Sequence, residues 1–263
     1  MALLDTLLSP FTALGRTVLW VVNDAGAITL FATRAIAKTF SRGGGRGQML
    51  NQLTFVGVDS IPIVLMTAFF TGGVLALQSY HGLGSGPLAD NQIGKLVALS
   101  MLRELGPVLA ALMLASRVGA AMAAELGTMR VTEQIDALTT LAANPMRYLV
   151  VPRIYACLAM LPLLVILANA VGILGGYTVS TQVLGIAGHA YMNSTFDGIT
   201  ADDLTMGIIK AATFGFLVGL MATYHGFHAT NGAEGVGRAT TRAVVYGAVA
   251  ILVADYFITA AFV

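Results

Sequence analysis

Five long apolar stretches alternate with short polar ones over most of the chain. The first runs from Leu53 to Ser79 with one charge, Asp59, close to its start; as a helix rising about 1.5 Å per residue it can cross the roughly 30 Å of bilayer hydrocarbon. After a glycine-rich loop from Gly82 to Pro87, a second stretch from Ile93 to Ala124 exceeds the bilayer, so one end is expected to project into water. The third extends from Tyr148 to Ser180, interrupted by Pro152 and Pro162, the fourth from Met206 to Gly226 and the fifth from Thr241 to Phe262. Residues 181–206 read as a polar connection with Asp197, Asp202 and Asp203.

The N-terminal 11–42 region has a different pattern. At about 100° per residue, Arg16, Asp24, Arg34, Lys38 and Arg42 fall on one side of a helix, with Leu14, Leu19, Val22, Ile28, Phe31 and Ile36 opposite and Trp20 suited to the headgroup level. This predicts an amphipathic helix lying on a membrane surface; the alternative is a poor first span, which so many charges disfavour. The Ser41 to Gly47 linker then breaks it, giving an interfacial segment over 1–47 and a transmembrane domain over 48–263. The expected fold is an all-α integral membrane protein with five transmembrane helices, an N-terminal interfacial helix and a short cytoplasmic helix.

Composition agrees with that class. Of 263 residues, 57% are hydrophobic and 10% charged, against about 25% charged in soluble domains. A net charge of +1 gives no nucleic-acid signal. The lone Cys157 cannot form an internal disulfide and reads as packing. Basic residues cluster before span one, around the second connection (Arg117, Arg130, Arg147, Arg153) and around the fourth (Arg238, Arg242), which predicts a cytoplasmic N-terminus and a C-terminus on the outer side, the periplasmic one if the membrane is a bacterial inner membrane. Gly172 with Gly176 and Gly215 with Gly219 have the small-xxx-small spacing that serves either packing within the bundle or a homodimer.

The sharpest chemical feature is Leu102-Arg103-Glu104-Leu105-Gly106-Pro107 inside span two. Each charge at such depth costs about 2.5–3.5 kcal/mol on insertion scales, so each must face a polar cavity or a partner on another helix, for which Lys210 and Asp255 are available. A guanidinium there suits a phosphate through its forked donors. Lys210 either snorkels or pairs, and Glu104 with Asp255 could relay protons. A second feature follows span two: Thr132 is a fair N-cap, Glu133 and Gln134 suit a first turn, and Ile135, Leu138 and Leu141 share one face of a helix of about 11 residues. It is suited either to receive force from a soluble motor or to lie on lipid. No phosphate-binding loop, zinc-protease or nucleophile motif occurs, so ATP and catalytic chemistry are not expected here. His225 and His228 with Glu234 could hold a metal but read better as a loop at the cytoplasmic edge, tightened by Gly232, Gly235 and Gly237.

The runs Leu99 to Val108, Ser116 to Gly119, Ala124 to Gln134 and Gly237 to Val245 resemble the MlaE/YrbE family of ABC-transporter permeases over roughly residues 50–263. The resemblance implies a homodimeric permease of the bacterial inner membrane that moves phospholipid and performs no catalysis itself. Its implied partners are an MlaF-like cytoplasmic ATPase that binds the ATP, an MlaB-like STAS-domain protein and an MlaD-like periplasmic ring of MCE domains. By motif position Leu77, Gln78 and Tyr80, with Met101, Arg103, Glu104, Leu105 and Lys210, would line the lipid cavity, although Ala211 stands where the family has serine. Arg130, Thr132, Glu133, Gln134, Asp136 and Leu138 would couple to the ATPase. The competing class is an ion-coupled secondary transporter using Glu104 and Asp255, which an inverted repeat would favour; none is visible.

Overall fold

The computed structural model describes residues 19, 22–38, 46–84 and 91–262, all helical apart from short turns, with no strand among them. The chain divides into two units, Met1–Gly43 and Gly44–Val263. In the first, residues 22–38 form helix α1, which exposes Val22, Leu30 and Ile36. Leu14, Arg16, Trp20 and Arg42 lie outside the described residues.

The second unit contains five helices long and apolar enough to span a membrane: Gln48–Leu83, Ile93–Val131, Met146–Gln182, Ala201–Phe227 and Gly232–Phe262. The first comprises α2 (Arg46–Val56) and α3 (Ile61–Leu83), joined by a 3-10 turn over Val58–Ser60. The second comprises α4 (Ile93–Ser100), α5 (Gly106–Leu114) and α6 (Ala120–Val131), with π turns at Met101–Leu105 and Ala115–Gly119. A short α7 (Gln134–Thr140) leads to a π turn at Met146–Val150 and α8 (Val151–Gln182). Then come α9 (Gly188–Gly198), α10 (Ala201–Phe227) and α11 (Gly232–Phe262).

Several expectations are corrected. The glycine-rich linker ends early, because Arg46 and Gly47 already belong to α2. Pro152 does not interrupt the third span: it follows directly on the π turn at Met146–Val150, which widens the helix ahead of it, and the helix continues through Pro162. The polar 181–206 connection contains α9, whose Tyr191 is fully buried and donates its hydroxyl to the Ile173 carbonyl at 3.1 Å. Burial pushes that phenol well above the ordinary tyrosine range, so it remains a donor. The loop expected around Glu234 shrinks to residues 228–231, since α11 begins at Gly232, with Asn231 and Gly232 making the turn in the left-handed region at φ 65° and 63°. No group of three or more metal-ligating side chains occurs among the described residues.

The small residues are used inside the bundle. A Cβ on Gly72 would lie 1.8 Å from the Gly172 carbonyl oxygen, and one on Gly175 would lie 2.1 Å from that of Phe69, so α3 and α8 touch backbone to backbone. Gly215 and Gly219 bring α10 close to α8, where a Cβ would lie 2.4 Å from the Cys157 carbonyl oxygen and 2.9 Å from the Ile154 Cα. In hydrocarbon, where burying apolar surface gains little, this close approach supplies the dispersion contacts that hold spans together.

Candidate functional site

The π turn at Met101–Leu105 has a local cause. Pro107 has no N–H for the Arg103 carbonyl and its ring crowds that oxygen, so the helix widens, and Gly106 donates instead to Met101, five residues back. Gly106 also permits close approach to the third span: a Cβ there would meet Asn169 Oδ1 at 1.8 Å. The widened turn carries Arg103 and Glu104, both about two-fifths exposed.

Each of these charges meets α10. Arg103 Nε lies 3.3 Å from Asp203 Oδ1, and Asp203 Oδ2 accepts from the Thr200 N–H at 2.9 Å and its hydroxyl at 2.7 Å, closing the capping box that starts α10. One carboxylate therefore caps a helix and holds a guanidinium. Two turns along the same helix, Lys210 is wholly buried. Its Nζ donates to Glu104 Oε2 at 2.6 Å and lies 2.7 Å from Asp255 Oδ1 of α11, an ion pair whose angles fall outside a hydrogen bond. The Thr259 hydroxyl adds a donor to Glu104 Oε1 at 3.2 Å. Spans two, four and five are thus tied by two cations and three carboxylates.

Lys210 does not snorkel, and the partner of Arg103 is Asp203, which the sequence reading placed in a loop. Asp203, Thr259 and the buried Asn169 were all missed as members of this neighbourhood. Asn169 had left a signal as the one amide within the apolar third span. Among the residues expected to line a cavity, Met101 is completely buried, with its Cε against Gly172. It lines, with Leu105 and Ala168, a crevice of about 10 Å³, room for one water and not for an acyl chain. Leu77, Gln78 and Tyr80 lie near the end of α3; Leu77 and Gln78 are exposed, Tyr80 is half-buried, and no hydrogen bond or ion pair joins them to the charged cluster.

At the opposite end of the second span, α7 covers seven residues instead of about 11. Thr132 is not its N-cap: it ends α6, donating its hydroxyl back to the Thr128 carbonyl at 2.8 Å and accepting from Gln134 Nε2 at 3.0 Å. Glu133 forms the joint in the left-handed region at φ 60°, with its carboxylate exposed. Ile135 is buried on Leu126 and Leu149 with Leu138 packed alongside, whereas Leu141, expected on the same face, is exposed beyond the helix end. Arg130 pairs with Asp136 at 2.6 Å. Both border a cavity of about 420 Å³ that Ile135, Thr139, Pro145 and the 227–230 turn also line. Deeper in, Arg153 is buried, donates to the Leu149 carbonyl at 2.8 Å and pairs with Glu125 at 2.8 Å.

Five apolar spans with a tied set of charges inside them and a short packed helix at one end define a multi-pass membrane protein. The model of the permease MlaE family matches residues 49–261, and the chain belongs to that family. It is 43% identical over 256 residues, 97% of this chain and 98% of the relative, to a "Probable ABC transporter permease protein" of Rickettsia felis. A similarly described protein of Synechocystis is 41% identical over 219 residues, 81% of each chain. The Haemophilus influenzae protein named "Intermembrane phospholipid transport system permease protein MlaE" is 38% identical over 213 residues, again 81% of each. The chain is accordingly an ABC-transporter permease, a class different from the ion-coupled secondary transporter weighed on Glu104 and Asp255.

Proposed function

We infer that this permease moves phospholipid between the inner membrane and a periplasmic MCE-domain partner, driven by ATP hydrolysis on a separate MlaF-like subunit, with an MlaB-like STAS-domain protein bound to the assembly. The excess of basic residues near the α7 end supports a cytoplasmic location for that end. There Glu133, Gln134 and α7 take the thrust of the ATPase, and Arg130, Asp136 and Leu138 transmit it through their contacts with α6 and the buried Ile135 cluster. Two copies of the chain enclose the lipid, and the crevice beside Met101 and Leu105 within one copy has room only for water.

The observation that carries the cargo assignment is the state of Arg103. Its Nε is engaged by Asp203, its two terminal nitrogens have no partner among the described residues, and its side chain is two-fifths exposed. A guanidinium in ionic contact through its Nε, with its fork open, suits a phosphodiester. Leu105 and Leu77 meet the acyl chains beside it. Replacing Arg103 by alanine should reduce the phospholipid recovered with, or photocrosslinked to, the assembled complex several-fold and slow transport. Undiminished lipid recovery would remove Arg103 from the binding role.

A further inference from the structure

Span one is broken between α2 and α3, and the break has a local cause. Pro62, in the first turn of α3, has no N–H for the Val58 carbonyl, which accepts instead from Ile61, three residues on. The Ser60 N–H likewise turns to the Gly57 carbonyl at 3.1 Å, so the helix tightens to 3-10 over Val58–Ser60. A 3-10 turn inside a long helix, with its poorer hydrogen-bond geometry, is where bending costs least. The inner side of the break is closed: Val56 and Ser60 are buried, and a Cβ on Gly57 would lie 1.9 Å from Met160 Cε of α8. The outer side is open, with Val58 and Asp59 about half exposed.

One guanidinium holds this break. Arg117 lies in the π turn at Ala115–Gly119 of span two; its Nη1 donates to the Ser60 hydroxyl at 2.8 Å and to the Phe55 carbonyl at 3.3 Å, and its Nη2 lies 3.7 Å from Asp59 Oδ2. Its Cζ stands 5.5 Å from the centre of the Phe55 ring. The Asp59 pair is long and half exposed, so it contributes little. The grip is on a backbone oxygen of α2 and a buried hydroxyl at the start of α3, one on each side of the break. Directly after the π turn, α6 runs from Ala120 to Val131, about 18 Å at 1.5 Å per residue, to the Glu133 joint, beyond which α7 packs Ile135 on Leu126. We propose that Arg117 is a positioning residue for transport: it clasps the break in span one, so that α2 moves with α6 when α7 is displaced. This rests on the reading of α7 as the ATPase docking helix and carries the movement into a second span.

The test reconstitutes the full-length chain with its ATPase and other subunits in proteoliposomes and measures ATP hydrolysis, transfer of a fluorescent phospholipid and Tm on the same preparation. In Arg117→Gln the lipid moved per ATP should fall about ten-fold, the order expected when hydrogen bonds from a charged group are lost, while hydrolysis continues on the separate subunit. Ser60→Ala removes only the 2.8 Å acceptor, suits a helix, and should lower the same ratio about three-fold. Arg117→Lys, a point charge without the fork, should recover part of the loss. Deuterium uptake provides a readout that a role in stability alone would not move. In the wild-type complex, ATP with vanadate should change exchange over both 53–62 and 120–131; in Arg117→Gln only the second segment should respond. A transfer-to-hydrolysis ratio unchanged in both Arg117→Gln and Ser60→Ala, whether or not Tm falls, overturns the clasp, as does a response over 53–62 that survives Arg117→Gln. An ATPase that still co-purifies with Glu133→Lys instead overturns the docking reading, and the clasp with it.

Discussion

Replacing Lys210 by methionine keeps most of the side-chain volume and deletes the ammonium that sits between Glu104 and Asp255. Removing one partner of a fully buried pair costs about 3–5 kcal/mol, because the remaining charge stays desolvated. Here the orphaned groups are not fully buried: Glu104 is 40% exposed and Asp255 21%, so water screens part of the loss. The unfolded chain within a membrane also finds partners for its polar groups, which lowers the difference further. About 2 kcal/mol remains, or roughly 4–8 °C in Tm for a chain of this length. Thermal unfolding of the detergent-solubilised protein, followed by intrinsic fluorescence, measures it. The second arm neutralises the whole network: Lys210→Met with Glu104→Gln and Asp255→Asn leaves no unpaired charge and should recover most of the lost Tm, since neutral groups of similar shape replace buried ion pairs at little cost. An unchanged Tm in the single variant, or a triple variant no more stable than the single one, would refute the idea that Lys210 is held by compensation of these two carboxylates.

Asp203→Ala should lower stability by about 1–2 kcal/mol through loss of the α10 cap, and also weaken phospholipid capture by releasing Arg103; Asp203→Asn should restore the cap and only part of the capture, which separates the two roles. Gly72→Ala should cost about 3 kcal/mol, because its methyl meets the Gly172 carbonyl and the α3 and α8 backbones must separate, whereas Gly82→Ala, with open space around it, should leave the melting curve and the gel-filtration profile unchanged. Glu133→Lys should abolish co-purification of the ATPase with little change in Tm, since the Glu133 side chain is exposed and carries no internal contact; retained ATPase would exclude that residue from the docking surface. Glu133→Gly should raise Tm slightly by relieving the left-handed backbone at φ 60°, and still lose ATPase binding.

Hydropathy alone displayed the five spans because the bilayer constrains each one separately: about 20 apolar residues are required whatever the neighbours do. Their true ends were less visible. The second span continues beyond Ala124 to Val131 and the fifth begins at Gly232, because helices run out of the hydrocarbon into polar residues that hydropathy assigns to loops. Helix α9 went unseen for a similar reason. Its serine, threonine and asparagine content reads as a connection, yet Tyr191, Ser194 and Thr195 are buried against α4, where Gly94 leaves room for them. Glycine spacing, by contrast, was informative: Gly172, Gly215 and Gly219 all mark real backbone contacts, since side-chain size alone sets how closely two helices approach.

The charged cluster shows where local reading stops. Arg103 and Glu104 drew notice because ionised groups within an apolar run demand an explanation, and Lys210 and Asp255 supplied partners of the right sign. Asp203 drew none. It lies 100 residues from Arg103, among acidic neighbours expected in a water-exposed connection, and its capping of α10 already accounts for it without reference to any other span. A residue with a sufficient local purpose conceals a distant one, and only the packing of α10 against the π turn brings both to the same carboxylate. That double use also has a mechanical consequence. The start of α10 cannot shift along its axis without drawing on the guanidinium Nε, so movement of the fourth span relative to the second would be felt first at the proposed phosphate ligand.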